Sequence, residues 1–136
     1  MNGVLFTDGG ARGNPGPAAI GVVLRVGEKS PLTVSEAIGG ATNNVAEYRA
    51  LLRGLELAQR QGVTDLDCRL DSELVVRQLN RIYKVRNKDL AVLCAKVRSA
   101  ALRFRSIRFV AVPRSENREA DRLVNAAFNR ASHGAS

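Results

Sequence analysis

Apolar residues along the chain follow first a strand-like and then a helix-like pattern, which predicts three strands before any helix. Short apolar runs bounded by turn residues predict strands at residues 4–7, 18–26 and 32–38. The third run is the least apolar, so we expect it at an edge of the sheet. Two later runs, at residues 66–70 and 107–112, predict a fourth and a fifth strand.

Helical periodicity takes over after residue 42. A helix is predicted from a cap at Asn43 or Asn44 to about Gln61, where Gly62 ends it. Asp71 and Ser72 open a second helix, and Asn87 begins a third. The last helix has the clearest spacing, with apolar residues recurring at i, i+3, i+4, i+7 and i+8. These residues are Ala120, Leu123, Val124, Ala127 and Phe128.

The predicted order βββαβααβα indicates an α/β fold built on one five-stranded mixed sheet. Three antiparallel strands come first, parallel crossovers follow, and helices cover both faces. A length of 136 residues fits one domain, which we place at residues 1–131, with a C-terminal tail at 132–136. Residues 9–17 contain four glycines and two prolines and are therefore predicted to form a shaped loop.

Four acidic residues fall at the ends of separate elements. Asp8 ends the first strand, Glu47 lies in the first turns of the first helix, Asp71 ends the fourth strand and Asp121 opens the last helix. Because strand ends in open α/β sheets converge on one edge, we expect these carboxylates to meet. Each one alone also fits an ordinary role as a turn residue, a helix cap or an exposed charge.

A cluster of carboxylates favours particular cations. Two carboxylates about 4 Å apart repel by about 4 kcal/mol at an effective dielectric near 20, so such a site needs raised pKa values or bound cations. Ligands that are all oxygen suit Mg²⁺ or Mn²⁺, whereas zinc prefers histidine or thiolate. The single histidine, His133, falls in the predicted tail. Its position also argues against a Ser-His-Asp or Cys-His enzyme.

The rest of the composition points to a basic, cytoplasmic monomer. The net charge is +8, and residues 77–108 hold ten basic residues against Asp89 alone, a pattern that attracts a polyanion or, alternatively, keeps a helix face solvated. The longest apolar run, residues 18–24, is far shorter than the ~20 residues of a membrane helix. No secretory signal is predicted, and Cys68 and Cys94 are expected to be reduced.

Four blocks of sequence resemble, in order, the signature blocks of type 1 ribonuclease H. They are TDGG with GNPGP at residues 7–17, TNNVAE at 42–47, DSE at 71–73 and NREADRLVN at 117–125. Any one block is a weak signal, whereas four in order are specific. The resemblance extends from about residue 4 to residue 128.

This resemblance implies endonucleolytic cleavage of the RNA strand of an RNA/DNA hybrid, leaving 5′-phosphate and 3′-hydroxyl ends. It implies that the four acids hold two Mg²⁺ ions, with Asp8 bridging both and Mn²⁺ as a substitute. It also implies that the hybrid is the main partner, with no obligate protein partner and no membrane. The residues expected to bind substrate are Gly10, Asn14, Asn43 and Asn44, at positions that match the family, and Arg81, Lys84, Arg86 and Lys88 from the basic segment. For the Asn pair a helix cap is the alternative.

The chain departs from the family pattern in three places. Residues 82–87 leave no room for the basic protrusion of some members, and Lys84, Arg86 and Lys88 are expected to substitute in part. The loop at residues 112–117 lacks the histidine that many members carry, with Arg114 or Glu116 as alternatives. Glu73 replaces a glutamine. Two rival functions remain, a non-catalytic binder of hybrid or duplex RNA and a DNA junction resolvase.

Overall fold

The fold contains the five-stranded mixed sheet that the sequence predicts. The computed structural model describes residues 1–134. In chain order, the elements are β1 (Asn2–Ala11), β2 (Gly16–Val26), β3 (Leu32–Ala41), α1 (Asn43–Arg60), β4 (Asp65–Leu70), α2 (Glu73–Leu79), α3 (Lys88–Ala101), β5 (Ser106–Ala111), a 3₁₀ turn (Arg114–Glu116) and α4 (Arg118–Gly134). The strands lie in the order β3-β2-β1-β4-β5, so β3 is an edge strand as expected. The β1–β2 and β2–β3 pairs are antiparallel, and the β1–β4 and β4–β5 pairs are parallel.

Helices cover the two faces of the sheet. Helix α1 packs on β1 and β2 and also contacts α3, whereas α4 packs across β1, β2 and β3 from the other side. Successive side chains of a strand point to opposite faces, so β1 presents alternate residues to α1 and to α4. Helix α1 turns an apolar stripe towards the sheet, in which Tyr48, Leu51 and Leu55 are fully buried. On the other face, α4 rests on β2 through a small cluster of Ala19, Val124, Ala127 and Phe128.

The predicted loop at residues 9–17 is shorter than expected. Strand β1 continues through Gly9 and Gly10 to Ala11, and only residues 12–15 lie outside strands. Asp8 therefore lies inside β1 and not at its end, where the sequence predicts it. The backbone of Gly9 pairs with Ile20 and that of Ala11 with Ala18. The hydrogen bonds between strands use only main-chain atoms, so glycine can lie in a strand where other elements pack closely on its faces. A prediction from composition alone therefore placed these glycines in a loop.

The helix caps correct one prediction and confirm two. Thr42, rather than Asn43 or Asn44, caps α1, because its hydroxyl accepts the backbone N–H of Val45. Ser72 caps α2 and Asn87 caps α3, as the sequence indicates. In each case a side-chain oxygen satisfies one of the backbone N–H groups that a helix start leaves free.

Three further features bear on the predictions. Helix α4 extends to Gly134, three residues past the boundary predicted at residue 131, and residues 135–136 lie outside the described part of the chain. Cys68 and Cys94 are both free and buried, as expected. Within residues 1–134, no helix combines the length and the apolar character needed to cross a bilayer.

Candidate functional site

Asp8 and Asp71 lie side by side because their strands are parallel neighbours. Strands β1 and β4 pair with Thr7 opposite Leu70, so the next residue on each strand is an aspartate. Asp8 is buried, whereas Asp71 is half-buried just beyond the end of β4. Two carboxylates therefore meet at the carboxyl edge of the sheet, where ligand sites of α/β folds form.

Glu47 reaches Asp8 because Gly9 lets helix α1 approach β1. A Cβ at residue 9 would collide with the backbone of Ala46 and Glu47. The missing side chain allows the start of α1 to touch the strand directly. The backbone N–H of Gly9 also donates to Glu47 Oε1 at 3.4 Å. The strand thus fixes the position of the third carboxylate.

Asp121 is brought to the same cleft by a second close approach. Gly21 pairs with Asp8 across the β1–β2 ladder, and a Cβ at Gly21 would collide with the carbonyl of Ala120 and approach Leu123. Helix α4 therefore packs directly on β2 at this point. Asp121 is exposed and lines an open cleft of about 500 Å³ together with Asp8, Glu47 and Asp71. We call this space the carboxylate cleft.

The three acids other than Asp121 form a tight cluster. One carboxylate oxygen from each of Asp8, Glu47 and Asp71 lies within 4.8 Å of the other two. Burial raises the pKa of Asp8 from its usual 3.8 to about 7, and the charge of Asp71 adds to the increase. Burial, with the charges of Asp8 and Asp71, also raises the pKa of Glu47 well above 4.5. The cluster is therefore electrostatically strained when it stands alone.

The donor set fits a hard divalent cation. All three clustered ligand atoms are carboxylate oxygens, the donor type that Mg²⁺ and Mn²⁺ prefer. Glu47 Oε2 is buried and has no hydrogen-bond partner, which leaves it free to coordinate. A cation would both satisfy this oxygen and remove the repulsion that raises the pKa values.

The asparagines predicted to meet substrate are linked to each other at one side of the carboxylate cleft. The backbone N–H of Asn43 donates to Asn14 Oδ1 at 3.0 Å, and Asn43 Oδ1 accepts the N–H of Ala11 at 2.8 Å. These bonds join the β1–β2 loop to the start of α1. Asn43 and Gly10 line the cleft, whereas Asn44 is half-buried and is not among its lining residues.

The four predicted basic residues lie apart from the carboxylates. Arg81, Lys84, Arg86 and Lys88 are all exposed, in or next to the connection between α2 and α3. Arg81 and Lys84 line a separate groove of about 550 Å³ with Ile82, Tyr83, Val85, Ala91, Cys94 and Arg98. We call it the basic groove. The exposed Tyr83 ring in this groove is covered by the Arg77 guanidinium, 5.4 Å from its centre.

The structure separates the alternatives for the loop before α4. Arg114 lines the carboxylate cleft, whereas Glu116 lines a different, smaller pocket beside Phe6 and Arg25. Glu73 is not among the cleft-lining residues and forms an ion pair with Arg77 at 3.4 Å. Of Arg114, Glu116 and Glu73, Arg114 is therefore the one that lines the carboxylate cleft.

Sequence reasoning gave no role to Asn117, which the structure places beneath the cleft. Asn117 is 1% exposed, and its amide nitrogen lies 3.5 Å from Asp71 Oδ2. From the sequence, an asparagine at this position reads as a cap of α4. The orientation of its side chain depends on contacts with distant elements, so no local signal predicts it.

Comparisons with known proteins show which family the chain resembles. A family model described as reverse transcriptase-like matches residues 6–127. The bifunctional protein Rv2228c of Mycobacterium tuberculosis is 44% identical over 137 residues, which cover 99% of this chain but only 38% of that protein. The chain thus spans less than half the length of this curated relative.

Solved structures match over nearly the whole chain. The crystal structure of RNase H1 from the archaeon Halobacterium salinarum matches with a TM-score of 0.92 and 38% identity, covering 96% of this chain and 99% of the other. LC11-RNase H1, isolated from compost and solved in complex with an RNA/DNA hybrid, matches with a TM-score of 0.88 and 44% identity. That match covers 95% of this chain and 98% of the other.

Proposed function

The chain belongs to the reverse transcriptase-like family and, within it, to the ribonucleases H, and we propose that it is an endoribonuclease acting on the RNA strand of RNA/DNA hybrids. The products would carry 5′-phosphate and 3′-hydroxyl ends. The observation that carries the proposal is the buried cluster in which oxygens of Asp8, Glu47 and Asp71 lie within 4.8 Å of one another. A site that only bound nucleic acid would gain nothing from placing three carboxylates against phosphate.

The acids are proposed to hold two Mg²⁺ ions. Asp8 is central, since it neighbours Asp71 on one side and Glu47 on the other, and Asp121 completes the set from α4. When bound, a pair of such ions activates a water and stabilises the leaving 3′ oxygen of a phosphodiester. The protein contributes a rigid arrangement of carboxylates that is formed before substrate arrives.

Substrate selection is assigned to the rim of the carboxylate cleft and to the basic groove. Asn43 lines the cleft, and Asn14 accepts a hydrogen bond from its backbone N–H. Amide groups at this position can read the 2′-hydroxyls that distinguish RNA from DNA. Arg81 and Lys84 in the basic groove would neutralise backbone phosphates. The complex of LC11-RNase H1 with an RNA/DNA hybrid supports this choice of substrate.

The direct test is cleavage of end-labelled substrates. Hybrid, duplex RNA, duplex DNA and branched DNA are incubated with the protein, with and without Mg²⁺ or Mn²⁺. We expect metal-dependent cleavage of the RNA strand of the hybrid only. Asp71→Asn should abolish cleavage while the circular dichroism spectrum stays unchanged. Asp89→Asn, which removes an exposed carboxylate from the first turn of α3, should retain it.

Each rival function predicts a different result. Tight binding of hybrid without cleavage in either metal would identify a binding module and refute the proposal. Preferential cleavage of branched DNA would identify a junction resolvase. Cleavage that persists in Asp71→Asn would show that the carboxylate cluster is not the catalytic centre.

A further inference from the structure

The side chain of Asn117 does not cap α4, although the residue stands directly before that helix. Its backbone carbonyl accepts the N–H of Asp121 at 3.1 Å, so Asn117 occupies the cap position directly before α4. The residues that precede α1, α2 and α3 use their side-chain oxygens as caps. Asn117 Oδ1 is buried and has no hydrogen-bond partner. The side chain has therefore turned away from its helix.

Its amide nitrogen instead connects elements that carry the clustered acids. Asn117 Nδ2 donates to the carbonyl of Thr7 at 2.9 Å, directly before Asp8. The same nitrogen lies 3.5 Å from Asp71 Oδ2, the outer limit of a hydrogen bond but close enough for a favourable contact between an amide dipole and a carboxylate. Together with the backbone bond to Asp121, one residue touches three of the four acid-bearing segments.

This orientation of the Asn117 side chain lowers the stability of the folded protein. A buried acceptor without a partner and a helix cap left unmade both destabilise a fold. An asparagine that capped α4 would avoid both losses. The orientation is explained if the amide is needed to fix the Asp71 carboxylate relative to Thr7, where the pairing of β1 with β4 ends.

We propose that Asn117 is a positioning residue that holds Asp71, and through Thr7 the segment of β1 that carries Asp8, in the geometry required for cation binding. This inference rests on the proposed function, since it assigns Asn117 a role in the same site. Residues that orient metal ligands typically change metal affinity by 10–100-fold when removed. We therefore expect Asn117→Ala to weaken Mg²⁺ binding by about tenfold.

The test measures Mg²⁺ binding without substrate, as the Mg²⁺ concentration that gives half of the maximal rise in melting temperature. Asn117→Ala is compared with wild type and with Asn80→Ala. Asn80 makes a similar bond, from its Nδ2 to the carbonyl of Phe109 at 3.1 Å, and neither residue lines the carboxylate cleft. Asn117→Ser is the second variant, because serine is a good helix cap but too short to reach Asp71.

The outcomes separate the two ideas. Both Asn117 variants should shift the Mg²⁺ midpoint about tenfold upward, whereas Asn80→Ala should lower the melting temperature without moving the midpoint. An unchanged midpoint in Asn117→Ser, with wild type responding normally, would overturn the role of Asn117. If wild type itself showed no Mg²⁺ response, the proposed function would fail first. Should Asn117→Ala not fold, Asn117→Ser decides the question.

Discussion

Replacing Asp8 with asparagine should stabilise the metal-free protein at alkaline pH. The side chain keeps its size but loses its charge and its titration. The pKa of Asp8 in the folded protein is about 7, against a usual 3.8. Between these values the folded state binds a proton that the unfolded state has released, so the free energy of unfolding falls as pH rises. The full penalty is present above pH 7.

Two overlapping calculations give the size of this effect, since the raised pKa already includes the repulsion from Asp71. A difference of about 3 pKa units corresponds to about 4 kcal/mol. Two unit charges separated by the 4.8 Å limit of the cluster repel by about 3.5 kcal/mol at an effective dielectric of 20. Relaxation reduces both, so we expect Asp8→Asn to gain about 2–4 kcal/mol at pH 8. For a chain of this size that is a rise of roughly 6–12 °C in melting temperature.

The assay is thermal unfolding in a chelator from pH 5 to pH 8, repeated with Mg²⁺. Wild type should lose stability as pH rises, and Mg²⁺ should restore it, most strongly at pH 8. Asp8→Asn should show a flatter profile and little response to Mg²⁺. Glu28→Gln, which removes an exposed charge in the turn after β2, serves as the control.

The direction of the change makes the test sharp. The chain carries a net charge of +8, so removing any acid raises the overall positive charge and should destabilise the protein slightly. Glu28→Gln should follow that trend, and Asp8→Asn should oppose it. A wild-type profile that is flat from pH 5 to pH 8, or an Asp8→Asn protein that is less stable than wild type at pH 8, would refute the argument.

Three further predictions follow from the site geometry. Gly21→Ala should push α4 away from β2 and displace Asp121. The rate constant for cleavage at saturating hybrid should therefore fall by a larger factor than KM rises, as single-turnover kinetics over a range of concentrations would show. Arg114→Ala should reduce kcat/KM at least tenfold, whereas Glu116→Gln, outside the carboxylate cleft, should not, and equal effects would contradict our assignment. The double variant Lys84→Ala/Arg86→Ala should weaken hybrid binding and reduce the slope of log affinity against log salt by about 1–2, measured by fluorescence anisotropy.

Much of the fold was predictable because its signals are local. The inward stripe of α1 and the caps at Ser72 and Asn87 follow from residues a few positions apart. For the caps, neighbouring residues alone specify the outcome. The meeting of Asp8 and Asp71 was predicted from the convergence of strand ends, but it depends on the parallel pairing of β1 with β4, which ends at Thr7 and Leu70.

The errors arose where tertiary packing overrides local preference. Gly9 and Gly10 have loop-like composition, yet pairing with β2 holds them in β1. Thr42 displaced the predicted asparagines as the cap of α1, while Asn43 and Asn14 are joined to each other instead. Asn117 turns inward because of partners more than 40 residues away in sequence. No window of neighbouring residues carries that information.

The alignment of β1 with β4, in which Thr7 lies opposite Leu70, has a consequence for testing whether a sample has refolded correctly. A strand slipped by one residue turns its side chains to the opposite face. Asp71 would then leave the cluster, and an apolar leucine would stand in its place. The proposed cleavage would therefore report on native strand alignment, and a slipped β4 is the defect to test for in a refolded sample that regained its helicity but not its turnover.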